Sequence, residues 1–401
     1  MTPRPFLATT TSRENRKFLS ITLAAMLLVA APPALLAQKA KLPKPRVLER
    51  GTRFERNPAT GEMGLHTAET SANLEALPAG PAIRTSVSLV EVGCTVLASD
   101  GTQVRGLERG DFRLFEDGAE QSIASFDAAA TPASIALVID ASPSIYRQLG
   151  QMREAARSLS SSLGTQDEVA VLAFSDQTHL LLPFSRDRAL LAAALASPEL
   201  ARVANSSQSF IYQALYLTGR QLFADRTGRK AIVLLTDGQD SGLGLTWDPA
   251  TMRARLDAAN MLAFDDVTRQ LASAGIELDI ISTENRPRAM SDAWLAAHQG
   301  QTLVTPAARE LGMPDYTLYL AELVRQAGGR LYFLRELASL AEVYHRIALT
   351  LAAEYTLGYY PAAGVARSGW RALDVELRPG AGAAAGAQIT HRTAYYVPVS
   401  P

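Results

Sequence analysis

The sequence predicts an α/β protein built on a doubly wound, mostly parallel sheet, with a smaller β-sandwich-like domain beside it. From residue 133 onward, short apolar runs alternate with segments of helical period, which is typical of strands buried between helices. On both sides of this region, over 85–127 and 355–397, apolar and polar residues alternate with the period of half-exposed strands. Together these patterns indicate one layered α/β domain and one domain made of flanking strands.

The first 37 residues have the pattern of an export signal. A basic stretch at 13–17 precedes an apolar run over 18–31, and a cleavage site follows Ala37. Leu35 fits the cleavage rule poorly, so an uncleaved signal anchor is the alternative. We therefore expect an exported protein that is periplasmic, in the cell envelope or secreted, and that touches the membrane only through an uncleaved anchor.

Composition excludes some partners. The 401 residues carry a formal net charge of −1, which gives no bulk attraction to nucleic acid. Cys94 is the only cysteine, so no intrachain disulfide can form, and its alternating strand context indicates a small core residue. Residues 38–84 contain several prolines and little periodicity, and they are predicted to be a disordered linker.

These patterns divide the chain into five segments. They are a signal peptide or anchor over 1–37, the linker over 38–84, the first part of the β domain over 85–130, the α/β domain over 131–354, and C-terminal strands over 355–401. In the outer segments, strands are expected over 87–92, 94–98, 112–116, 121–126, 355–361, 369–377 and 391–397. We expect the C-terminal strands to complete the β domain.

The α/β segment is expected to contain six strands and six helices. The strands are predicted over 135–139, 168–174, 178–184, 230–236, 276–281 and 330–334. The helices are predicted over 144–163, 188–196, 209–222, 256–274, 316–327 and 337–355. Pro183 cannot donate a ladder hydrogen bond, so its strand is placed at an edge of the sheet.

Two of the apolar runs end in a carboxylate. Asp140 closes one run and is followed by Ser142 and Ser144, and Asp237 closes another. The carboxyl ends of parallel strands meet at the edge where open α/β sheets bind their ligands. Carboxylates and hydroxyls are the hard oxygen groups that Mg²⁺, Mn²⁺ or Ca²⁺ prefers. The alternative is a helix N-cap after the first strand and an ordinary turn after the second.

This pattern resembles the von Willebrand factor type A (VWA) domain and its metal-ion-dependent adhesion site (MIDAS), whose signature is Asp-x-Ser-x-Ser, a distant Thr and a distant Asp. Aligning on Ala214-Leu215 puts Ser209 at the Thr position, where the hydroxyl is kept. Ser206 and Ser207 lie close by and leave the register open. The resemblance implies a Rossmann-like fold and a protein partner that offers an acidic side chain to a bound Mg²⁺ (or Mn²⁺/Ca²⁺). The implied metal ligands are Asp140, Ser142, Ser144, Ser209 and Asp237.

The outer segments resemble a family of bacterial secreted VWA-related proteins. Leu107 to Phe112 carries a Leu-x-x-x-Asp-Phe pattern, and Glu116-Asp117-Gly118 follows it. The tail adds a Tyr-x-Leu-Gly-Tyr-Tyr-Pro string over 355–361. The resemblance covers about residues 83–398 and implies a discontinuous β domain that wraps around the VWA domain.

The sequence shows no catalytic constellation. The histidines are scattered, Ser142 lacks a general base, and neither a His-Glu-x-x-His nor a Gly-x-Ser-x-Gly motif is present. We therefore expect a non-enzymatic module for metal-dependent protein binding or adhesion. The alternative is a metal-free VWA scaffold for assembly of an envelope complex, which stays open because Ser209 stands where the family has Thr. A hydrolase is the least favoured function.

Overall fold

A computed structural model gives the fold. It describes residues 42–58, 61–67, 89–99, 102–128, 132–142, 163–204, 208–241, 245–248, 253–256, 262–291, 294, 315–334, 340–352, 355–361, 369–381, 386–391 and 394–397. The predicted export segment, the predicted helix over 144–163 up to residue 162, and Ser144 lie outside these residues. Within the described parts of the chain, no helix combines the length and apolarity needed to cross a membrane.

The elements are numbered in chain order. The described strands are β1 (Arg46–Val47), β2 (Thr52–Arg56), β3 (Met63–Thr67), β4 (Val90–Leu97), β5 (Phe112–Glu116), β6 (Ala119–Gln121), β7 (Ser125–Asp127), β8 (Ala133–Asp140), β9 (Glu168–Phe174), β10 (Thr178–Ser185), β11 (Arg229–Thr236), β12 (Leu245–Asp248), β13 (Arg253–Leu256), β14 (Ile276–Ser282), β15 (Leu331–Phe333), β16 (Tyr355–Tyr359), β17 (Gly369–Leu377), β18 (Gln388–His391) and β19 (Ala394–Val397). The described α-helices are α1 (Arg188–Leu195), α2 (Pro198–Val203), α3 (Ile211–Leu217), α4 (Phe264–Ser273), α5 (Asp315–Ala327) and α6 (Leu340–Ala352). A π-helical turn over Thr218–Leu222 extends α3.

The central sheet has the order β1-β10-β9-β8-β11-β14-β15. The five strands from β9 to β15 in this order run parallel, and β10 and β1 are antiparallel additions. All eight residues of β8 are buried, because helices cover both faces of the sheet. The predicted fold class, α/β with a doubly wound and mostly parallel sheet, is confirmed.

Successive side chains of β8 enter two different cores. Ile135, Leu137 and Ile139 pack in one core with α1, α2 and α6, and Ala136 and Val138 pack in the other with α3, α4 and α5. The chain leaves β8 toward β9 and β10 on one side and later returns to β11 on the other side. The carboxyl edge between β8 and β11 is therefore the point where the strand order reverses, which is where open α/β sheets bind ligands.

The prediction of a disordered linker over 38–84 is wrong for the described part of that segment. Residues 42–58 and 61–67 form an N-terminal arm, in which β1 pairs with β10 and β2 pairs with β3 as a hairpin. Leu48 and Met63 of the arm are buried in the second core. The sequence of the arm has little apolar periodicity, because only a few of its side chains point into the domain. The sequence pattern therefore does not indicate its strands.

The arm is held by polar contacts as well. The Arg56 guanidinium donates to both carboxylate oxygens of Asp266 on α4, at 3.0 and 2.6 Å. The Glu49 carboxylate accepts from the backbone N–H of Thr178 and from the side chain of Gln213 on α3. Because the arm pairs with β10, this strand is not at the edge of the sheet, contrary to the prediction.

Eight further strands of the described chain form the β domain, in two sheets of four. One sheet has the order β18-β4-β16-β7, and the other has the order β19-β17-β5-β6. Each sheet thus combines strands from before and after the α/β domain. A common core joins them, with Val92 and Leu114 from the first part packed beside Leu357 and Val375 from the tail. Asp117 and Gly118 have positive φ angles of 48° and 80° and form the tight turn between β5 and β6.

Other differences are local. The predicted helix over 256–274 begins at Phe264, and 253–256 instead forms β13, which pairs with β12. The short helix α2, which starts with Pro198 behind an N-cap at Ser197, was not predicted. Most of the predicted insertion over 284–314 lies outside the described residues.

Candidate metal centre

Asp140 is the centre of a polar cluster at the carboxyl edge of the sheet. It is the last residue of β8, and its side chain is fully buried. Thr236, the last residue of β11, follows Leu235, which is in register with Ile139. The parallel pairing of β8 with β11 therefore brings the residues that follow the two apolar runs side by side.

Both oxygens of the Asp140 carboxylate accept hydrogen bonds. Oδ1 accepts from the backbone N–H of Ser142 at 2.9 Å. Oδ2 accepts from the Thr236 hydroxyl at 2.8 Å and from the Ser209 hydroxyl at 3.1 Å. Such donors are needed to keep a buried carboxylate ionised, because burial alone favours the neutral acid.

The electrostatics of Asp140 reflect a balance of these effects. Burial raises the pKa of the Asp140 carboxyl, and the negative charge of nearby Asp237 raises this pKa further. Hydrogen bonds from the Ser142 backbone and the Thr236 hydroxyl oppose the rise. Because burial and the Asp237 charge both disfavour the ionised form of Asp140, a cation at this strand edge would stabilise that form.

Ser209 is brought to Asp140 by the loop that follows Asp237. The Ser209 carbonyl accepts from the backbone N–H of Ser241 at 2.7 Å, and the Ser209 N–H donates to the Ser241 hydroxyl at 3.3 Å. The Asp240 carboxylate accepts from the backbone N–H of Ile211 at 2.6 Å, so it caps the first turn of α3. These contacts fix the start of α3, and with it Ser209, against the end of β11.

Asp237 lies in a tight turn. Its carboxylate accepts from the backbone N–H of Gln239 at 3.0 Å. Gly238 has a φ angle of +87°, and a Cβ added there would lie 2.9 Å from a side-chain carbon of Leu320 on α5. A residue with a side chain would therefore strain the turn, and the Leu320 side chain would have to shift. Tyr316 of α5 also lies near Asp237. The pKa of its phenol is raised first by burial and then by the charges of Glu284 and Asp237.

The structure brings together four of the five predicted site residues. Asp140 is in hydrogen-bond contact with Ser142 and Ser209, and Asp237 is close enough to raise its pKa. Ser144 lies outside the described residues, as do Ser206 and Ser207, so Ser209 is the described hydroxyl of its segment that reaches Asp140.

The donor set fits a hard divalent cation. It consists of two carboxylates and hydroxyl groups, the oxygen ligands that Mg²⁺, Mn²⁺ and Ca²⁺ take. Asp140 is fully buried, and Ser209, Asp237 and Ser142 are buried with 5%, 7% and 8% of their surface exposed. Among the described residues, this edge of the sheet included, no group of three or more His, Cys, Asp or Glu side chains is placed to hold a metal, so an ion here would depend on two carboxylates and the hydroxyls.

Three contributors to the site were not assigned a role from the sequence. Thr236 was interpreted only as part of a turn, although its hydroxyl reaches Asp140. Asp240 and Ser241 hold the Ser209 segment from about thirty positions further along the chain. A local capping signal directly before α3 is missing, because Phe210 occupies that position and has no side-chain acceptor.

The comparison with protein-family models agrees with this architecture. Residues 134–286 match the family model of the von Willebrand factor type A domain. No curated protein sequence matches the chain significantly. Among solved structures, the chain is similar to an aerotolerance-related membrane protein from Bacteroides fragilis NCTC 9343 with multiple mutations to serines, at 16% identity and a TM-score of 0.35, over 55% of this chain and 98% of that chain.

Two further structures illustrate the range of this likeness. One is a von Willebrand factor type A protein from Catenulispora acidiphila, at 12% identity and a TM-score of 0.38, over 73% of this chain and 74% of that chain. The other is proximal thread matrix protein 1 from the mussel byssus with a zinc-occupied MIDAS motif, at 16% identity and a TM-score of 0.36, over 59% of this chain and 49% of that chain. Likeness at these levels says nothing about activity, so the assignment rests on the family-model match and the strand order. Residues 134–286 of this chain are therefore identified as a von Willebrand factor type A domain.

Proposed function

We propose that this chain is an exported, non-enzymatic protein-binding module that recognises its partner through a divalent metal ion held at the carboxyl edge of the VWA sheet. The observation that carries the proposal is the hydrogen-bonded contact of the buried Asp140 carboxylate with the Ser209 hydroxyl, beside the Asp237 carboxylate. The residues that would hold the ion are Asp140, Ser142, Ser144, Ser209 and Asp237.

The hydroxyl contact supports Ser209 as the counterpart of the family threonine. A serine hydroxyl has one donor and two acceptor lone pairs. The Ser209 hydroxyl donates a hydrogen bond to Asp140, which leaves its oxygen lone pairs to face a cation. The loss of a methyl group relative to threonine does not change this chemistry, so the departure at Ser209 is compatible with a metal site.

The partner would supply an acidic side chain. A cation with few charged protein ligands stays electrophilic and supplies an open position for a carboxylate from outside. Binding of this kind needs no general base and no nucleophile, which agrees with the scattered histidines of the sequence. We therefore propose Mg²⁺, or Mn²⁺ or Ca²⁺ in its place, as the cofactor, and an acidic segment of another protein as the ligand.

Calorimetric titration of the full chain with Mg²⁺ and Mn²⁺ tests the metal site. We expect saturable binding by the native chain and none by Asp140→Ala. Asp265→Ala is the matched control, because it removes an exposed aspartate of α4 and should bind metal like the native chain. Equal heats for the native chain and Asp140→Ala would refute the site, and no binding by either chain would favour the metal-free scaffold.

The partner and the location need separate experiments. A pulldown from cell-envelope fractions should retain a protein in Mg²⁺ but not in EDTA, and the Asp140→Ala chain should not retain it in either condition. Cell fractionation tests export, and a mature N-terminus at Gln38 would establish cleavage after Ala37. A chain found only in the cytoplasm would refute the proposed location.

A further inference from the structure

The Thr236 hydroxyl joins the two strand ends that form the site. It is fully buried, and it donates to Oδ2 of Asp140 at 2.8 Å. The Thr236 hydroxyl oxygen also accepts from the backbone N–H of Gly238 at 3.0 Å. A single hydroxyl thus connects the carboxylate at the end of β8 with the backbone of the turn that contains Asp237.

This arrangement restricts both partners. The Asp140 carboxylate can rotate about its last side-chain bond, and a donor at Oδ2 selects one orientation of its two oxygens. The Gly238 N–H sits in a turn with a positive φ angle, and the Thr236 oxygen satisfies it inside the protein. The proton of the hydroxyl is committed to Asp140, so Thr236 orients the site and is not counted among the five proposed ligands.

We infer that Thr236 is a positioning residue for metal binding, which sets the orientation of the Asp140 carboxylate relative to Asp237. The inference rests on the proposed metal-binding function. Groups that hydrogen-bond to metal ligands commonly change metal affinity by about 10–100-fold when they are removed, because the ligand must then be ordered at the moment of binding.

Thr236→Val removes the hydroxyl and keeps nearly the same shape, so it tests the hydrogen bonds alone. We expect its Mg²⁺ dissociation constant, measured by calorimetry, to rise at least tenfold. Thr236→Ser keeps the hydroxyl and should bind within about threefold of the native chain. The melting temperature without metal is recorded in parallel, and the gain in melting temperature on adding Mg²⁺ gives a second measure of affinity.

Thr218→Val is the matched control. Thr218 is equally buried, and its hydroxyl donates to the Ala214 carbonyl at 2.7 Å in the helix that continues α3. This variant loses a buried hydroxyl of the same kind outside the five proposed ligands and their hydrogen-bond partners, so its Mg²⁺ affinity should be unchanged. If Thr218→Val and Thr236→Val weaken Mg²⁺ binding equally, the effect is a general loss of stability and the inference is refuted.

The outcomes separate this inference from the proposed function. If the native chain binds Mg²⁺, Asp140→Ala does not, and Thr236→Val binds within threefold of native, only the positioning role is refuted. If the native chain itself binds no Mg²⁺ or Mn²⁺, the metal site and the role of Thr236 are both refuted. Thr236→Ala removes the same hydroxyl and gives the same comparison if the valine variant does not fold.

Discussion

Removal of the C-terminal tail should unfold the β domain. In the sheet that contains β4, both neighbours of this strand, β16 and β18, come from the tail. A chain that ends at Glu354 therefore leaves β4 without a described partner in that sheet, and it leaves β5 paired only with β6. The perturbation removes 355–401 and leaves every strand of the central sheet in place.

The magnitude follows from the core of the β domain. Of its twelve buried side chains, the tail supplies six: Tyr355, Leu357, Tyr359, Leu373, Val375 and Tyr395. Burial of one large apolar side chain contributes about 1.5–3 kcal/mol, so the six contribute roughly 9–18 kcal/mol before the cost of ordering the chain. A whole domain is stable by only about 5–15 kcal/mol, so the remaining half of this core should not stay folded.

Cys94 provides the assay, because it is the only cysteine and it is buried on β4. Burial raises the pKa of its thiol to about 12, so almost no reactive thiolate exists at pH 8 in the native fold. In an unfolded β domain the pKa returns to about 8.5 and the thiol becomes accessible. Alkylation by iodoacetamide at pH 8 should therefore be slow in the full chain and fast in the truncated chain.

Point variants of the tail refine this test. Leu357→Ala removes a fully buried side chain and should destabilise the β domain by about 2–5 kcal/mol, with faster alkylation of Cys94. Tyr360→Ala changes a tail side chain that is 55% exposed, and it should leave the alkylation rate at the native value. If Cys94 of the truncated chain stays as protected as in the full chain, the tail does not complete this core and the reasoning fails.

Three further predictions concern other contacts. Arg56→Ala should lower the free energy of unfolding by about 2–4 kcal/mol in urea titrations, because the nearly inaccessible Asp266 carboxylate loses its paired donors from the arm. An unchanged midpoint of the urea transition would contradict this. Gly238→Ala should lower the free energy of unfolding by about 1–3 kcal/mol in the same assay, since φ is +87° and the added carbon meets the Leu320 side chain of α5. A stability equal to that of the native chain would contradict this and show that the turn relaxes. The hydrogen bond with His391 lowers the pKa of Asp374, so this pair stabilises the fold above the ordinary aspartate pKa, and the gain is lost as the pH falls through the lowered value. Asp374→Asn should therefore reduce the melting temperature at pH 5 and not at pH 2. Equal losses of melting temperature at both pH values would contradict this.

The middle of the central sheet could be predicted from the sequence because β8, β9, β11 and β14 are buried on both faces. The run over 135–139 is apolar throughout and is followed by Asp140, so its type and its end are both visible locally. Asp140 and Asp237 could be paired for the same reason, since parallel strands place their ends at one edge.

The arm and the support of Ser209 could not be predicted in this way. The arm depends on separate contacts, such as Arg56 with Asp266 across 210 positions of sequence, and no local period encodes them. Asp240 caps α3 from 29 positions away, so the usual capping residue before the helix is replaced by one that only the fold brings near. The role of Thr236 likewise depends on which oxygen of Asp140 it meets, which no motif specifies.

The pairing of β1 with β10 also bears on solubility. An open strand at the side of a sheet offers unpaired backbone groups to other copies of the chain and promotes aggregation. In this protein β1 covers β10 at His179 and Leu180, and further along the same strand Pro183 has no N–H to offer. The short N-terminal strand and the proline together close the side of the sheet to an incoming chain, so a fragment that lacks the arm would regain a surface on which copies can stack.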